Sequence, residues 1–381
     1  MSEILRAQSH SADAQTAVTE LKEQFSHNSP ASLILFFCSC SYDLQQLAES
    51  FNTLFPDVEV VGCTAAGEIG PEGYLEQSVT AILFPKDEFD VVSASLNQLS
   101  DFSETKGSQF VQTLVTQLTA LAHDSHNRYS FAMQLIDGLS KKEELISHCF
   151  QKALGHIPLF GGSAADNLQF AHTYIFHRGK FLENSCVLIL FNTNRSFRLF
   201  KTQHFSGTSA PLVVTAADIA NRTIVELNGL PAANVYAQQI GCSVEQLNMQ
   251  VFAASPVVIK MNGNEYVRSI QKMHADGSLQ LYCAIDEGVV LRVANSVNLT
   301  TDLDQQFEKL QTALGDISLA LVCDCILRRT DIVNTQQLPA VSDVFLRNRA
   351  SGFSSFGEQF GGLHLNQTCT GIAFGRGDTS P

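Results

Sequence analysis

The chain has 381 residues, 45% of them hydrophobic, with 26 Phe, no Trp and only 16% charged. That length predicts two or three domains, and that composition excludes an intrinsically disordered chain, which needs low hydrophobicity and high charge. The formal charge of −14, from 24 basic and 38 acidic residues, repels phosphate backbones and disfavours nucleic-acid binding.

No apolar run approaches the ~20 residues that span a bilayer, so membrane insertion is not expected. The first residues, MSEILRAQSHSADAQTAV, lack a basic region followed by an apolar core, so no signal peptide is read there. A cytoplasmic location follows as an expectation, with the ten cysteines as reduced thiols.

Along the chain, Val18, Leu21 and Phe25 mark a helix, and the apolar run from Ala31 to Cys38 marks a buried strand. Leu44, Leu47, Phe51 and Leu54 make the next helical stripe, stopped by Pro56. A strand from Val58 to Cys63 runs into the small-residue turn Gly62 to Gly70. Strands at Ser78–Phe84 and Phe89–Leu96, a helix carrying Phe110 to Leu121, a strand Ser130–Ile136 and a helix around Leu145 and Cys149 follow. After Gly161-Gly162-Ser163-Ala164-Ala165-Asp166, strands are expected at Thr173–His177, Cys186–Phe191 and Phe197–His204.

The second half predicts strands at Leu212–Thr215 and Thr223–Leu227, and a short helix through Pro231. Asn262-Gly263 and Asp276-Gly277 turns join strands at Val257–Met261, Glu265–Lys272 and Ser278–Ile285. A helix at Asp304–Leu314, a strand at Leu319–Leu327, a helix at Val341–Arg349 and a strand at Thr370–Phe374 close the chain. The fold class is α/β (α+β), with mixed, largely antiparallel sheets and helices packed outside. A domain boundary is placed near Gly207, giving domains 1–206 and 207–381. No repeat with a period of ~20–50 residues is visible; a remote duplication stays open.

Four blocks carry a resemblance. Gly62-Cys63-Thr64-Ala65-Ala66-Gly67-Glu68-Ile69 and Gly161 to Asn167 resemble the N-terminal FIST module. Val225 to Ala233, and Phe356-Gly357-Glu358-Gln359-Phe360 with His364 to Thr368, resemble the C-terminal FIST module. FIST proteins are small-ligand sensors in signal transduction. Asp324 to Arg329 and the Gly-Glu-Gln-Phe ending resemble the bacterial NosP branch. That branch binds haem, senses nitric oxide and acts on a histidine kinase or a cyclic-di-GMP enzyme. A homodimer is compatible with that resemblance.

Catalytic signatures are missing: there is no Gly-x-Ser-x-Gly elbow, no phosphate-binding Gly-x-x-x-x-Gly-Lys and no Gly-x-Gly-x-x-Gly. An enzyme is therefore the least favoured class. Small residues let a ligand approach backbone N–H groups, so Gly62, Thr64, Gly67, Gly162 and Ser163 are candidate ligand contacts, with Glu68 to recognise an amine; tight turns and a solvated carboxylate are the plainer alternatives. Cys38-Ser39-Cys40 and Cys323-Asp324-Cys325 each place two sulfurs on one side of a strand, and buried inert thiols are the favoured reading.

Cys-x-x-Cys-His is absent, so any haem is b-type, held by burial and an axial ligand. Among 11 histidines, His364 stands out: Gly361 and Gly362 precede it to admit a flat macrocycle, and Asn366 and Thr368 are placed to orient the ring. Arg268 is the candidate for a propionate or ligand carboxylate, with a surface or interface salt bridge as the plainer alternative, and the Arg328-Arg329 pair at a strand end has the same two readings. In this reading nitric oxide weakens the Fe–His364 bond and frees the C-terminal segment. The rivals are a haem-free sensor of an amino-acid-like metabolite and a protein-interaction adaptor.

Overall fold

The computed structural model describes residues 2–25, 30–121, 129–261 and 263–376. The first part of the chain forms strand β1 (Leu5–Ser9), helix α1 (Ala14–Gln24), β2 (Ala31–Ser39), α2 (Leu44–Leu54), β3 (Val60–Ala65), a hairpin of β4 (Glu68–Gly70) and β5 (Gly73–Leu75), and β6 (Val79–Pro85). The same succession then recurs as β7 (Phe89–Asn97), α3 (Glu104–Leu121), β8 (Tyr129–Ile136), α4 (Glu143–Leu154), β9 (Leu159–Ser163), the hairpin β10 (Ile175–His177) and β11 (Lys180–Leu182), and β12 (Ser185–Thr193).

A third copy opens with β13 (Phe197–Thr202) and is interrupted by an insertion. The insertion holds β14 (Phe205–Gly207), β15 (Leu212–Asp218), β16 (Thr223–Leu227), β17 (Leu230–Pro231), α5 (Ala232–Ile240), α6 (Met249–Ala254), β18 (Val257–Met261), β19 (Asn264–Arg268), β20 (Ile270–Met273), β21 (Leu279–Leu281) and β22 (Val290–Ser296). The copy resumes with α7 (Leu299–Leu314), β23 (Ile317–Cys325), α8 (Ile326–Asn334), α9 (Leu338–Arg347), β24 (Ala350–Ser355), the hairpin β25 (Glu358–Phe360) and β26 (Leu363–Leu365), and β27 (Cys369–Gly375).

Each copy builds one six-stranded sheet, and the orders correspond strand for strand: β1-β6-β2-β3-β10-β11, β7-β12-β8-β9-β25-β26 and β13-β27-β23-β24-β4-β5. The pairs β2–β3, β8–β9 and β23–β24 are parallel, which is why helices must cross between them. The hairpin that ends each sheet always comes from another copy. The exchange is cyclic and locks the three sheets together. A ring of backbone bonds closes it at the centre: Ala66 N–H to Ser354 O (3.0 Å), Ala165 N–H to Thr64 O (3.0 Å) and Phe356 N–H to Ser163 O (3.1 Å).

The inner faces of all three sheets share one core that includes Phe37, Cys63, Phe131, Phe160, Cys323 and Phe353. Helices α1 and α2, α3 and α4, and α7 and α9 cover the outer faces through separate apolar layers. Sheets covered on both sides give continuous apolar strands rather than alternating ones. The nine strands of the insertion form their own sheet over a separate core with Tyr236, Phe252 and Leu291.

The fold class is as expected, and the open question of duplication has an answer. The repeat is threefold, and its copies, such as Leu5–Pro85 and Phe89–Thr193, are longer than the periods sought. The boundary placed near Gly207 falls where the chain leaves the third sheet, which it rejoins at α7. Several expected elements change: Ser278–Ile285 shortens to β21, Leu279–Leu281, and Phe197–His204 to β13, Phe197–Thr202. The strand expected to reach Leu327 ends at Cys325, so Arg328 and Arg329 lie on helix α8. Glu265–Lys272 breaks at Ser269 into β19 and β20. His27 and the His123–His126 loop lie outside the described residues.

Candidate functional site

Where parallel strands end in an open sheet, ligands collect at their carboxyl ends. At the ends of β2 and β3 a cleft of about 410 Å³ is lined by Ser39, Cys40, Gly67, Asp166, Tyr174 and Arg329, with others around them. The first two blocks of the resemblance meet here, joined by the Ala165–Thr64 bond of the central ring.

Arg329 enters this wall from α8. It is 6% exposed. Its Nη1 donates to Ala66 O at 2.5 Å, and its Nη2 donates to Leu75 O at 3.3 Å and to Glu76 Oε1 at 2.9 Å. Glu76, its carboxylate partner, is 80% exposed at the side chain. Gly67 makes room: it sits at φ +129°, and a Cβ there would overlap the guanidinium.

The opposite wall is the loop after β9. Asp166 organises it by accepting the N–H groups of Phe170 (2.9 Å), Ala171 (2.6 Å) and His172 (3.0 Å). Within that loop Asn167, Leu168 and Phe170 hold φ of +58°, +65° and +53°, a conformation costing ~1–3 kcal/mol each for residues such as Leu and Phe.

The predicted ligand contacts separate. Gly67 lines the cleft. Gly62 lies against Phe36 within the sheet, and Gly162 against Phe353 and Cys323 in the core. Thr64 Oγ1 accepts the Tyr174 N–H at 3.1 Å and so anchors the β10 hairpin. Glu68 does not face a ligand. It is buried, takes the Ser78 hydroxyl at 2.6 Å, and burial raises its pKa to about 8. The Cys-x-Cys pairs do not converge, since Cys38 belongs to the outer layer of the first sheet and Cys323 to the central core. Among the described residues no cluster of three or more metal-ligating side chains forms.

The C-terminal candidates gather at the seam between the three-sheet body and the inserted sheet. His364 on β26 borders a cavity of about 100 Å³, together with Arg222, Tyr282 and Phe356. Arg268 reaches it: Nη1 donates to the His364 carbonyl at 3.2 Å, so this guanidinium holds backbone rather than a carboxylate. The ring is oriented by Gln359, whose Nε2 donates to Ser163 Oγ (2.9 Å) and faces His364 Nδ1 (3.3 Å). Thus Ser163 and His364 share one buried network. Burial lowers the His364 pKa to about 4, so the imidazole is neutral.

Asn366 and Thr368 do not orient it. The Asn366 amide is buried with no hydrogen-bond partner among the described residues, and Thr368 donates to Glu358 at 2.6 Å. Gly361 and Gly362 form the left-handed turn between β25 and β26, with Gly362 packed on Gln151; they serve the hairpin rather than a macrocycle. The seam itself is polar. Arg222 Nη2 pairs with Glu143 (2.9 Å) and Glu144 (2.8 Å), and the Ser269 hydroxyl donates to Gln367 at 2.8 Å.

The three-sheet body and the inserted sheet form a module whose strand-end cleft, at about 410 Å³, has the size of a small-molecule site. The comparisons make the class specific: residues 32–230 match the FIST N domain and residues 232–361 the FIST C domain, and the chain belongs to the FIST family of signalling sensor domains. It is also similar to the uncharacterized protein MJ1623 of Methanocaldococcus jannaschii, 23% identical over 227 residues, 58% of this chain and 43% of that protein. The chain thus spans less than half the length of that relative. No helix among the described residues is long and apolar enough to cross a membrane.

A b-type haem would need one His364 nitrogen and space for a macrocycle. Nδ1 faces Gln359, and the edge carrying Nε2 lies so close to Gly357 that a Cβ there would overlap it. The adjoining cavity of about 100 Å³ is well below the ~300–1,000 Å³ of ordinary small-molecule sites. The residues around His364 do not fit a haem in this arrangement.

Proposed function

We propose that this protein senses a small polar metabolite that carries a carboxylate, of the size and kind of an amino acid, in the cleft at the ends of β2 and β3. The observation that carries the proposal is Arg329. Its guanidinium is buried and aimed by two carbonyls, and its carboxylate partner, Glu76, lies in water. Arginine suits planar carboxylates because it offers two parallel N–H groups. A ligand carboxylate that displaces Glu76 leaves the guanidinium with a carboxylate partner, and Glu76 returns to the water that already surrounds it. The released Glu76 and the Ser39 and Ser41 hydroxyls then receive an amine. The protein is proposed to act in the cytoplasm without turnover, passing occupancy to a sensor histidine kinase or a cyclic-di-GMP enzyme.

Calorimetric titration with free amino acids, and with the matching amines that lack a carboxylate, tests this. At least one amino acid should bind, its amine should not, and Arg329→Lys should weaken binding about tenfold, the loss of ~1.4 kcal/mol. Equal binding of acid and amine, or no change in Arg329→Lys, would remove Arg329 from the site. The rival, a haem-based nitric-oxide sensor, expects a Soret band on adding haem that depends on His364 and shifts with nitric oxide; a spectrum without one disposes of that rival.

A further inference from the structure

The loop that Asp166 organises is a wall with two sides. Asn167, Gln169 and Ala171 line the strand-end cleft, while Phe170 lines the seam cavity. The two spaces are therefore separated by one short segment, and that segment carries three left-handed non-glycine residues. Strain of this kind persists only where its surroundings over-determine it, and it gathers at binding sites.

The seam cavity has the features of a site in its own right. Phe170 stacks on Phe356 (centroids 4.9 Å, 20°) and lies nearly parallel to Tyr282 (6.2 Å, 28°). The Tyr282 hydroxyl is buried and has no hydrogen-bond partner among the described residues. A buried hydroxyl without a partner costs ~1–3 kcal/mol. Gln271, Gln280 and the neutral His364 add polar edges to the same lining.

The charged groups are already engaged or wet. Arg222 donates to the Tyr282 carbonyl at 2.7 Å and to both glutamates; Lys141 sits exposed at the lip. Nothing is left to neutralise a charged ligand. At about 100 Å³ the space is smaller than the ~150 Å³ cavity that encloses benzene. Its lip is open at Ala220 and Asn221, so a single ring is held partly in the cavity and partly in that lip, and a fused pair is not accommodated.

We propose that the seam cavity is a second ligand site, for a single uncharged aromatic ring bearing one hydrogen-bonding group, and that the strained loop couples it to the cleft. The ring packs against the stacked Phe356–Phe170 pair, and its polar substituent meets the Tyr282 hydroxyl. Occupancy presses on Phe170 and so on the loop face that lines the cleft. Because the cavity lies between body and inserted sheet, it also sets how those two parts meet. The second site does not depend on what the cleft binds.

Phenol is the probe, with binding to the full chain followed by saturation-transfer NMR. Phenol should bind saturably, and the charged benzoate should not compete. Tyr282→Phe keeps the ring and removes the hydroxyl, and should weaken phenol about fivefold, as expected for one hydrogen bond. Ala220→Trp closes the lip from an exposed position and should abolish binding while the melting temperature holds. Arg329→Lys, in the cleft, should leave the phenol affinity within about twofold, which separates this test from that of the cleft ligand. Amide hydrogen exchange in residues 166–172 should slow on adding phenol. Absence of saturable binding, or binding unchanged in both Tyr282→Phe and Ala220→Trp, overturns the site; binding lost in Arg329→Lys assigns phenol to the cleft instead; unchanged exchange in the loop overturns the coupling.

Discussion

Hairpins β4–β5 and β25–β26 occupy equivalent places in two of the three sheets, and their differences show what each place is for. Both begin with a buried glutamate, Glu68 or Glu358, that accepts a hydroxyl at 2.6 Å, from Ser78 or Thr368. Both are followed by a glutamine at φ close to +50°, Gln77 or Gln367. They diverge at the middle of the second strand. Tyr74 donates to Asp324 at 2.5 Å, deep within the third sheet, whereas His364 stands at the seam. One hairpin is tied into an internal ion network; the other presents a neutral ring to a boundary. A shared backbone plan fixes where the hairpins go, and single side chains decide which becomes scaffold and which becomes surface.

The largest effect comes from breaking the network behind Tyr74. Arg328 is fully buried and its Nε donates to Asp324 at 2.8 Å. Its Nη1 faces His204 Nδ1 at 3.3 Å, and His204 Nε2 faces Asp331 at 3.1 Å. An arginine can only donate, so Nδ1 accepts and the Nε2–H donates to Asp331. Asp324→Ala leaves a buried guanidinium without its carboxylate and should cost ~3–5 kcal/mol, measured by denaturant unfolding. His364→Ala, the nearest counterpart in the other hairpin, should cost less, because His364 carries no charge.

The paired glutamates predict a pH slope. Burial raises Glu68 and Glu358 to about 8, against ~4.3 in an unfolded chain. Between those values the folded state holds the extra proton, so stability falls as pH rises from about 4.5 to 8. Glu68→Gln with Glu358→Gln should flatten that fall, as read by denaturant unfolding across this pH range. A slope unchanged in the double variant assigns it elsewhere. His364 works in the opposite sense. Its pKa is lowered to about 4 from ~6.5, so the unfolded state takes up the proton first and stability is lost as pH falls from about 6.5 to 4. Replacing it with Phe, which the third hairpin carries as Phe181 in the same register, should remove that acid loss, roughly 1–3 kcal/mol.

Much of this was legible in the sequence. Thr223–Leu227 and Val257–Met261 have the expected bounds, because apolar runs there stop at turn residues. Three of the four blocks mark strand ends that do meet, through the Ala165–Thr64 and Phe356–Ser163 bonds, while Val225 to Ala233 lies apart in the inserted sheet. The triplication was hidden, because what the copies share is sparse: Gly62-Cys63-Thr64, Gly161-Gly162-Ser163 and Gly352-Phe353-Ser354, and the polar residues Gln77, Asn184 and Gln367 at φ +51°, +46° and +50°. Core packing constrains only volume and polarity, so identities drift while turn positions stay. Arg329 is legible as one of a pair open to a carboxylate ligand or a salt bridge, but its place is not: β23 runs into α8 without a side-chain cap at Cys325, and an apolar strand flowing into a buried helix gives no break in hydropathy. Asp166 stood in a quoted block, but its three backbone partners lie four to six residues on, an arrangement only the folded loop shows.

The smallest effect sharpens the comparison most. Gln77 and Gln367 share the same left-handed backbone, yet Gln77 is exposed at the cleft while Gln367 is buried. Gln367 accepts from the Ser269 hydroxyl and donates to Ala253 O at 2.8 Å, stitching the inserted sheet to the body. Glycine relieves ~1–2 kcal/mol of left-handed strain but costs ~0.5–1 kcal/mol of unfolded-chain entropy. Gln77→Gly should therefore change stability by no more than about +1 kcal/mol. Gln367→Gly gains the same relief and loses two hydrogen bonds, ~0.5–1.5 kcal/mol each, while stranding the Ser269 hydroxyl. It should be the less stable of the two by ~1–3 kcal/mol, with amide exchange accelerating first around Ser269. Equal stabilities would mean that Gln367 contributes nothing across the seam and that the inserted sheet is held by its other contacts, among them those of Arg222, Arg268 and the Ala284 N–H to Glu144.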